Sequence, residues 1–145
     1  MKTNKPIFTL LLLGFFSMLF SCDIDYLYDT EIRIKNASQH DIKIIVEKPS
    51  SEFLTGSTTV KSGTTFTTKH SIDGGNGLPN PVDAQIKFDD GTTITHHWAD
   101  GDTYHNFCST TAFEKKILGK RSVEYIFVFT DEDYEYAKKH ADKTE

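Results

Sequence analysis

The chain has 145 residues, a formal net charge of -5, 37% hydrophobic residues and 26% charged residues. This length and composition predict one globular domain and exclude a second large one. The acidic balance argues against a nucleic acid as partner, because binding to phosphates relies on clustered lysine and arginine side chains.

The first segment has the layout of a secretory signal peptide. Lys2 and Lys5 give it a positive start, and residues 7–20 form an apolar run with only three interruptions. At ~1.5 Å per residue this run extends about 21 Å as a helix, which is short of the ~30 Å hydrocarbon layer. A signal peptide is therefore favoured over a permanent membrane-spanning helix.

The end of this run, Leu19-Phe20-Ser21-Cys22, resembles the lipobox of bacterial lipoproteins. In that family a leucine stands three positions before the cysteine and a small residue stands directly before it. Leu19, Ser21 and Cys22 match the pattern, and Phe20 is bulkier than usual at its position. The resemblance implies that the Cys22 thiol takes a diacylglycerol before cleavage. An uncleaved anchor and plain secretion are the alternatives.

The resemblance divides the chain into a signal peptide at residues 1–21, a lipidated cysteine with a tether at 22–30, and a folded domain at 31–145. It implies a location in the cell envelope, with the outer membrane favoured. Two or more acyl chains hold a domain stably to a bilayer, whereas a single chain is marginal. The membrane is thus the first expected partner.

Cysteine usage predicts a domain without an internal disulfide. If Cys22 carries lipid, Cys108 is the only thiol left, so stability depends on packing rather than on a cross-link. Cys108 is expected to be a small buried hydrophobic residue. The alternative is a metal ligand or a reactive thiol.

Alternating apolar and polar residues predict strands in the first half of the domain. Residues 31–35 and 41–48 are expected to pair as a hairpin across a polar turn. A second pair is expected on either side of residues 61–63. Its threonine-rich strands contain few large apolar groups, which favours a place near a sheet edge.

Two further hairpins are expected after the glycine- and proline-rich loop at residues 74–81. Residues 82–88 lead through Asp89-Asp90-Gly91 into a strand at 92–98, because these turn residues accept a positive φ. Residues 112–117 and 122–130 form the last pair, joined by 118–121. Apolar residues fill 123–129 almost without a break, so this strand is expected at the centre of a sheet, buried on both faces.

The C-terminal segment predicts a helix of two to three turns. Thr130 is the expected N-cap, and the three acids at 131–133 suit the positive end of the helix dipole. Tyr134, Ala137 and Ala141 share one face of this helix. With about eight strands and no internal helix, the predicted fold is an antiparallel β-sandwich with a short C-terminal helix.

The combined pattern resembles small lipoproteins of Bacteroidetes-type bacteria, most of which are uncharacterised. The resemblance rests on the lipobox, on the hairpin at 86–91 and on the ending at 125–134. None of these motifs is catalytic. The resemblance therefore implies a lipid-anchored envelope domain and leaves its ligand open.

One cluster suggests a metal site. His96, His97, His105 and Cys108 lie within 13 residues, and imidazole and thiolate are ligands for zinc or copper. His96 and His97 point to opposite faces of a strand, so the candidate set is His97, His105 and Cys108. The alternative is that they are loop histidines and a packed cysteine.

No GxSxG, P-loop or HExxH motif is present, and the sequence predicts neither an enzyme nor a cofactor. Loops on a rigid sandwich are common recognition sites, and three aromatic residues in predicted loops are candidates for binding: Phe53, Tyr104 and Phe107. The leading hypothesis is a non-enzymatic module that binds an envelope protein or a glycan. The alternative is a metal-handling envelope protein that uses the His/Cys loop.

The only basic cluster flanks the last predicted turn and consists of Lys115, Lys116, Lys120 and Arg121. A solvated hairpin is the simplest explanation of these charges. Contact with acidic glycans or lipid headgroups is the alternative.

Overall fold

The computed structural model describes residues 27–48, 54, 56–73, 77–78 and 81–141. The predicted signal peptide, Cys22 and the candidate binding residue Phe53 lie outside these ranges.

The described chain is mainly β and forms a sandwich of two four-stranded sheets with one C-terminal helix, which confirms the predicted fold class. The elements are β1 (Leu27–Asn36), β2 (Ile42–Lys48), β3 (Gly56–Val60), β4 (Thr65–Asp73), β5 (Asp83–Phe88), β6 (Thr93–His97), β7 (Glu114–Gly119), β8 (Ser122–Phe129) and α1 (Asp131–His140). The strand order is β4-β1-β8-β7 in the first sheet and β3-β2-β5-β6 in the second.

The first and last strands pair in parallel at the centre of the first sheet, so the expectation of an entirely antiparallel sandwich is wrong for this pair. The register runs from Asp29 opposite Ser122 to Asn36 opposite Phe129. The start of β1 and the β7–β8 turn therefore share one end of the sandwich, which we call the Leu27 end; the Asp29 N–H donates to the Arg121 carbonyl there over 2.9 Å. Both strands finish at the opposite end, which we call the Asn36 end. It lies about 30 Å away at ~3.3 Å per residue.

The domain begins earlier than the sequence predicts. β1 starts at Leu27, inside the expected tether, because its first residues pair with β4, with Leu27 opposite Asp73.

Among the residues that the structure describes, no helix is long and apolar enough to cross a membrane.

The first two predicted hairpins are wrong. β1 and β2 lie in different sheets, as do β3 and β4. The short connections at 37–41 and 61–64 cross from one sheet to the other instead of joining neighbours. The alternation places Ile32 and Ile44 in the core correctly, but it does not specify the pairing partner. The edge position of the threonine-rich strands β3 and β4 is confirmed.

Asn36 joins both crossings at the Asn36 end. Its fully buried side chain donates from Nδ2 to the carbonyls of His40 and Val60 at 2.7 and 2.9 Å. Its Oδ1 accepts from the backbone N–H and the hydroxyl of Ser38 at 3.0 and 2.7 Å. Because all of these bonds are inside the protein, the amide is satisfied without water.

The last two predicted hairpins are confirmed. β5 and β6 are joined through Asp89-Asp90-Gly91, where Gly91 has a φ of 89°. β7 pairs with β8 but begins at Glu114, because residues 110–112 form a 3-10 turn capped by Ser109. β8 is central as predicted. Its second face is only partly covered, since Ile126 and Val128 are half-buried.

An aromatic cluster fills the core beneath β8. Phe127 contacts the rings of Phe107, Phe113 and Phe129 at centroid distances of 5.1, 5.1 and 4.7 Å. Phe107 is fully buried, so the prediction that it presents an exposed binding ring is wrong. Its loop folds inward along β6, where burying the ring removes a large apolar area from water.

The C-terminal helix α1 is confirmed, with Thr130 as its N-cap. Asp133 closes a capping box, and its Oδ2 accepts from the Thr130 backbone N–H and hydroxyl at 2.7 and 3.1 Å. Ala137 is fully buried and Tyr134 is half-buried, whereas Ala141 is exposed and lies after the helix. The helix thus packs on the sandwich through its middle turns.

Candidate functional site

A shallow groove between α1 and the β6–β7 loop is the best candidate for a binding site. It has a volume of about 380 Å³, and we call it the Tyr104 groove; it is lined by Tyr104, Asp131, Glu132, Glu135, Tyr136 and Lys139. Because α1 follows the end of β8, the side of the groove formed by its first turn lies toward the Asn36 end, where Asp131 accepts the Gln39 N–H over 2.8 Å. One of the three predicted binding residues, Tyr104, belongs to it.

Two stacked tyrosines form the floor of the groove. The rings of Tyr104 and Tyr136 are 4.3 Å apart between centroids and inclined by 19°. Tyr104 is 44% exposed, while Tyr136 is partly buried against the core. Stacking holds the exposed ring in place before any ligand arrives, so binding would require little additional ordering.

His105 fixes the loop that carries Tyr104. Its φ is 38°, a conformation that few non-glycine residues adopt. The His105 ring stacks on Phe127 with centroids 4.3 Å apart, and its Nδ1 lies 2.5 Å from the Asp133 Oδ1. Asp133 therefore binds the loop with one oxygen and the helix N-cap with the other.

The rim of the groove is acidic. Asp131, Glu132 and Glu135 face a single cation, Lys139, along the rim. Burial, together with the negative charges of Asp133 and Glu132, raises the pKa of Tyr104. The protonated phenol can donate a hydrogen bond to a ligand. Aromatic faces beside carboxylates suit a ligand that carries cationic or hydroxyl groups.

A second groove of about 360 Å³ lies at the Leu27 end and is lined by Asp29, Thr30, Glu31, Lys69, His70, Ser71 and Ser122. Its carboxylates already have partners within the protein. Asp29 accepts from the Ser71 hydroxyl at 3.3 Å. Hydrogen bonds from Arg33 and Lys69 hold the pKa of Glu31 below its ordinary value. In the Tyr104 groove Asp131 also has a partner, the Gln39 N–H at 2.8 Å, but the second groove has no Phe, Tyr or Trp ring among its lining residues.

The candidate metal ligands are held apart. The His97 Nδ1 contacts the Asp83 carboxylate at 2.8 Å, and His105 is engaged with Asp133. The buried Cys108 thiol donates to the His96 carbonyl at 3.2 Å. Within the described ranges, no three His, Cys, Asp or Glu side chains are grouped to hold a metal ion.

His96 and Cys108 have structural roles in this loop. The His96 Nδ1 accepts the Phe107 backbone N–H at 2.9 Å, and burial lowers the pKa of His96 to about 4. Burial raises the pKa of Cys108 to about 12. A thiol that stays protonated is a poor nucleophile and a poor metal ligand. Cys108 is thus the small buried residue that the sequence favoured.

Sequence reasoning missed Tyr136 and Asp133. Four residues of the groove, Glu132, Glu135, Tyr136 and Lys139, follow the spacing i, i+3, i+4 and i+7, which places them on one helical face. That spacing was visible in the sequence. The contact of Asp133 with His105 was not, because it depends on how the β6–β7 loop folds.

Comparisons of the chain with known protein families, with curated proteins and with solved structures found no match.

Proposed function

We propose that this protein is a lipid-anchored, non-enzymatic module of the cell envelope that binds a partner through the Tyr104 groove. The parallel pairing of β1 and β8 carries the proposal. It places the start of the domain, five positions after Cys22, at one end of the sandwich and the start of α1, whose first turn lines the groove, at the other. An anchor at Cys22 would then leave the groove directed away from the bilayer.

The proposed partner is a basic segment of an envelope protein. Three carboxylates and one ammonium group surround the paired tyrosines, and lysine or arginine side chains combine favourably with both aromatic faces and carboxylates. A glycan would stack on the same rings but would leave most of the negative charge unused.

The absence of enzymatic activity is part of the proposal. The reactive side chains of the loop have structural roles. The Cys108 thiol is buried, and the His96 ring accepts a backbone N–H. The His105 ring is held between Phe127 and Asp133. These contacts support a binding role for the loop.

Labelling with a fatty acid tests the anchor. Cells that express the full chain would be grown with radiolabelled palmitate, and the purified protein would be counted. We expect the Cys22→Ala variant to lose the label and the matched Cys108→Ala variant to keep it. Equal labelling of the parent and the Cys22→Ala variant would refute attachment at Cys22.

A basic peptide tests the groove. Fluorescence anisotropy would follow a labelled nona-lysine peptide as the full chain is added. We expect the double variant Glu132→Gln, Glu135→Gln to weaken binding at least tenfold, and the variant Tyr104→Ala to do the same. The matched variant Glu114→Gln, which removes an exposed charge in β7, should bind like the parent. Equal affinity for all four proteins would exclude the groove as the site.

A further inference from the structure

We infer that the Leu27 end of the domain rests on the surface of a phospholipid bilayer, with the β7–β8 hairpin and Trp98 inserted among the headgroups. The inference rests on the proposed lipidation of Cys22, and it adds a second contact between the protein and the membrane.

Exposed apolar side chains are concentrated at this end. The described chain has six large exposed hydrophobic residues, of which Tyr104 lines the groove beside α1. The other five are Leu27, Val82, Trp98, Ile117 and Leu118. Ile117 is 78% exposed and Trp98 is 64% exposed. Apolar residues gathered at one end of a small domain mark a surface that contacts something less polar than water.

The strand register places these residues together. Ile117 pairs with Val123, which in turn lies opposite Thr30 near the start of β1. Leu118 follows directly and precedes the turn. Leu27 is the first residue of β1.

Val82 and Trp98 reach the same end from the second sheet. β2 begins at the Asn36 end and runs back toward the Leu27 end, where Lys48 lies opposite Asp83. Val82 precedes Asp83, and the Trp98 N–H donates to the Val82 carbonyl over 2.8 Å. Both sheets therefore contribute apolar side chains to this surface.

The length of chain before the domain identifies the bilayer as the surface that the Leu27 end contacts. Five positions separate Cys22 from Leu27, and they span at most about 17 Å even when fully extended. This is shorter than the ~30 Å between the two ends of the sandwich. A lipid on Cys22 therefore holds the Leu27 end, rather than the Asn36 end, close to the bilayer.

The polar residues of this hairpin suit a membrane interface. Lys120 and Arg121 form the exposed turn beside Leu118. Tryptophan is enriched at the level of the headgroups, and lysine and arginine are attracted to anionic lipids. Apolar side chains that insert beside basic ones are the usual composition of a surface that lies on a membrane.

Quenching of tryptophan fluorescence tests this docking. Trp98 is the only tryptophan of the chain. The full chain, purified with its lipid, would be reconstituted into vesicles of phosphatidylethanolamine and phosphatidylglycerol, with and without brominated acyl chains. We expect brominated lipid to reduce Trp98 emission at least twofold. The double variant Ile117→Ser, Leu118→Ser should lose at least half of that quenching, whereas the matched Tyr104→Ser variant should keep it.

Mass spectrometry of the peptide that contains Cys22, run on the same samples, separates the two hypotheses. Acylated protein with unquenched Trp98 would overturn the docking and leave the anchor intact. Unmodified Cys22 would overturn the anchor, and with it the docking. Equal quenching of the parent and the Ile117, Leu118 double variant would overturn the role of the hairpin.

Discussion

Asn36 in β1 donates a 2.9 Å hydrogen bond from its buried side chain to the carbonyl of Val60 in β3, which belongs to the opposite sheet. The same amide also bonds to Ser38 and His40 in the first crossing. One side chain thus connects the two places where the chain passes between the sheets.

Removing this amide should destabilise the domain strongly. Asn36→Ala removes the side-chain donor to the buried Val60 carbonyl and one of the two donors to the His40 carbonyl, which should lower the free energy of unfolding by about 2 to 5 kcal/mol. Urea denaturation of the full chain measures the loss. Gln39→Ala is the matched control, because Gln39 is exposed in the same turn, and it should change stability by less than about 0.5 kcal/mol. Similar losses in both variants would contradict the role of Asn36.

The aromatic core should be equally sensitive. Phe127 is fully buried and contacts three phenylalanine rings and His105. Phe127→Ala should therefore lower the free energy of unfolding by about 3 to 5 kcal/mol. Ile117→Ala in the neighbouring strand removes an exposed side chain and should cost less than about 0.5 kcal/mol. A loss below about 1 kcal/mol for Phe127→Ala would mean that the cluster is loosely packed.

Acid should weaken the fold through His96. Its ordinary pKa of 6.5 falls to about 4 in the folded domain, so the unfolded chain binds the proton more readily. The stabilisation is complete above pH 6.5 and is lost as the pH falls toward 4, by at most about 3 kcal/mol. Thermal unfolding between pH 4 and 7 measures this loss.

His96→Asn is the matched variant for the pH experiment. The asparagine Oδ1 can accept the Phe107 N–H in place of the His96 Nδ1, but it does not titrate. We expect this variant to have a smaller decrease in stability than the parent between pH 6.5 and 4. If the stability of the parent and of the variant decreased equally between pH 6.5 and 4, His96 would be ruled out as the cause of the acid sensitivity.

The Cys108 thiol should be inert in the folded protein. It is fully buried, and burial raises its pKa to about 12, so little thiolate forms at pH 8. We expect iodoacetamide to modify Cys108 at least 100-fold more slowly in buffer than in 8 M urea. Mass spectrometry of the Cys108 peptide follows the reaction. Comparable rates in the two solvents would show that the loop opens readily.

The success of the sequence-based predictions depended on how local each feature is. Alternation identified the buried faces of the strands, Gly91 marked a tight hairpin, and Thr130 marked the start of the helix, because each depends on a few neighbouring residues. The assignment of β2 and β4 to their sheets depends instead on long-range packing, which periodicity does not encode.

In the candidate site, too, the features that depend on nearby residues were predicted and those that depend on long-range packing were not. Tyr104 was identified as an exposed aromatic residue, since its loop position follows from the sequence. Phe107, three positions later, was misassigned because an irregular loop has no period from which burial can be read. The partner of Tyr104 comes from α1, and only the folded chain brings Tyr136 into contact with it.

The parallel arrangement of β1 and β8 also determines how the domain would respond to force. A pull between the N-terminal side of β1 and the C-terminal side of β8 acts along both strands in opposite directions. The hydrogen bonds between the two strands are then loaded in shear, so they must break together rather than one after another. A module held at one end and pulled by a partner at the other would resist extension through its slow rate of forced unfolding, even with modest equilibrium stability.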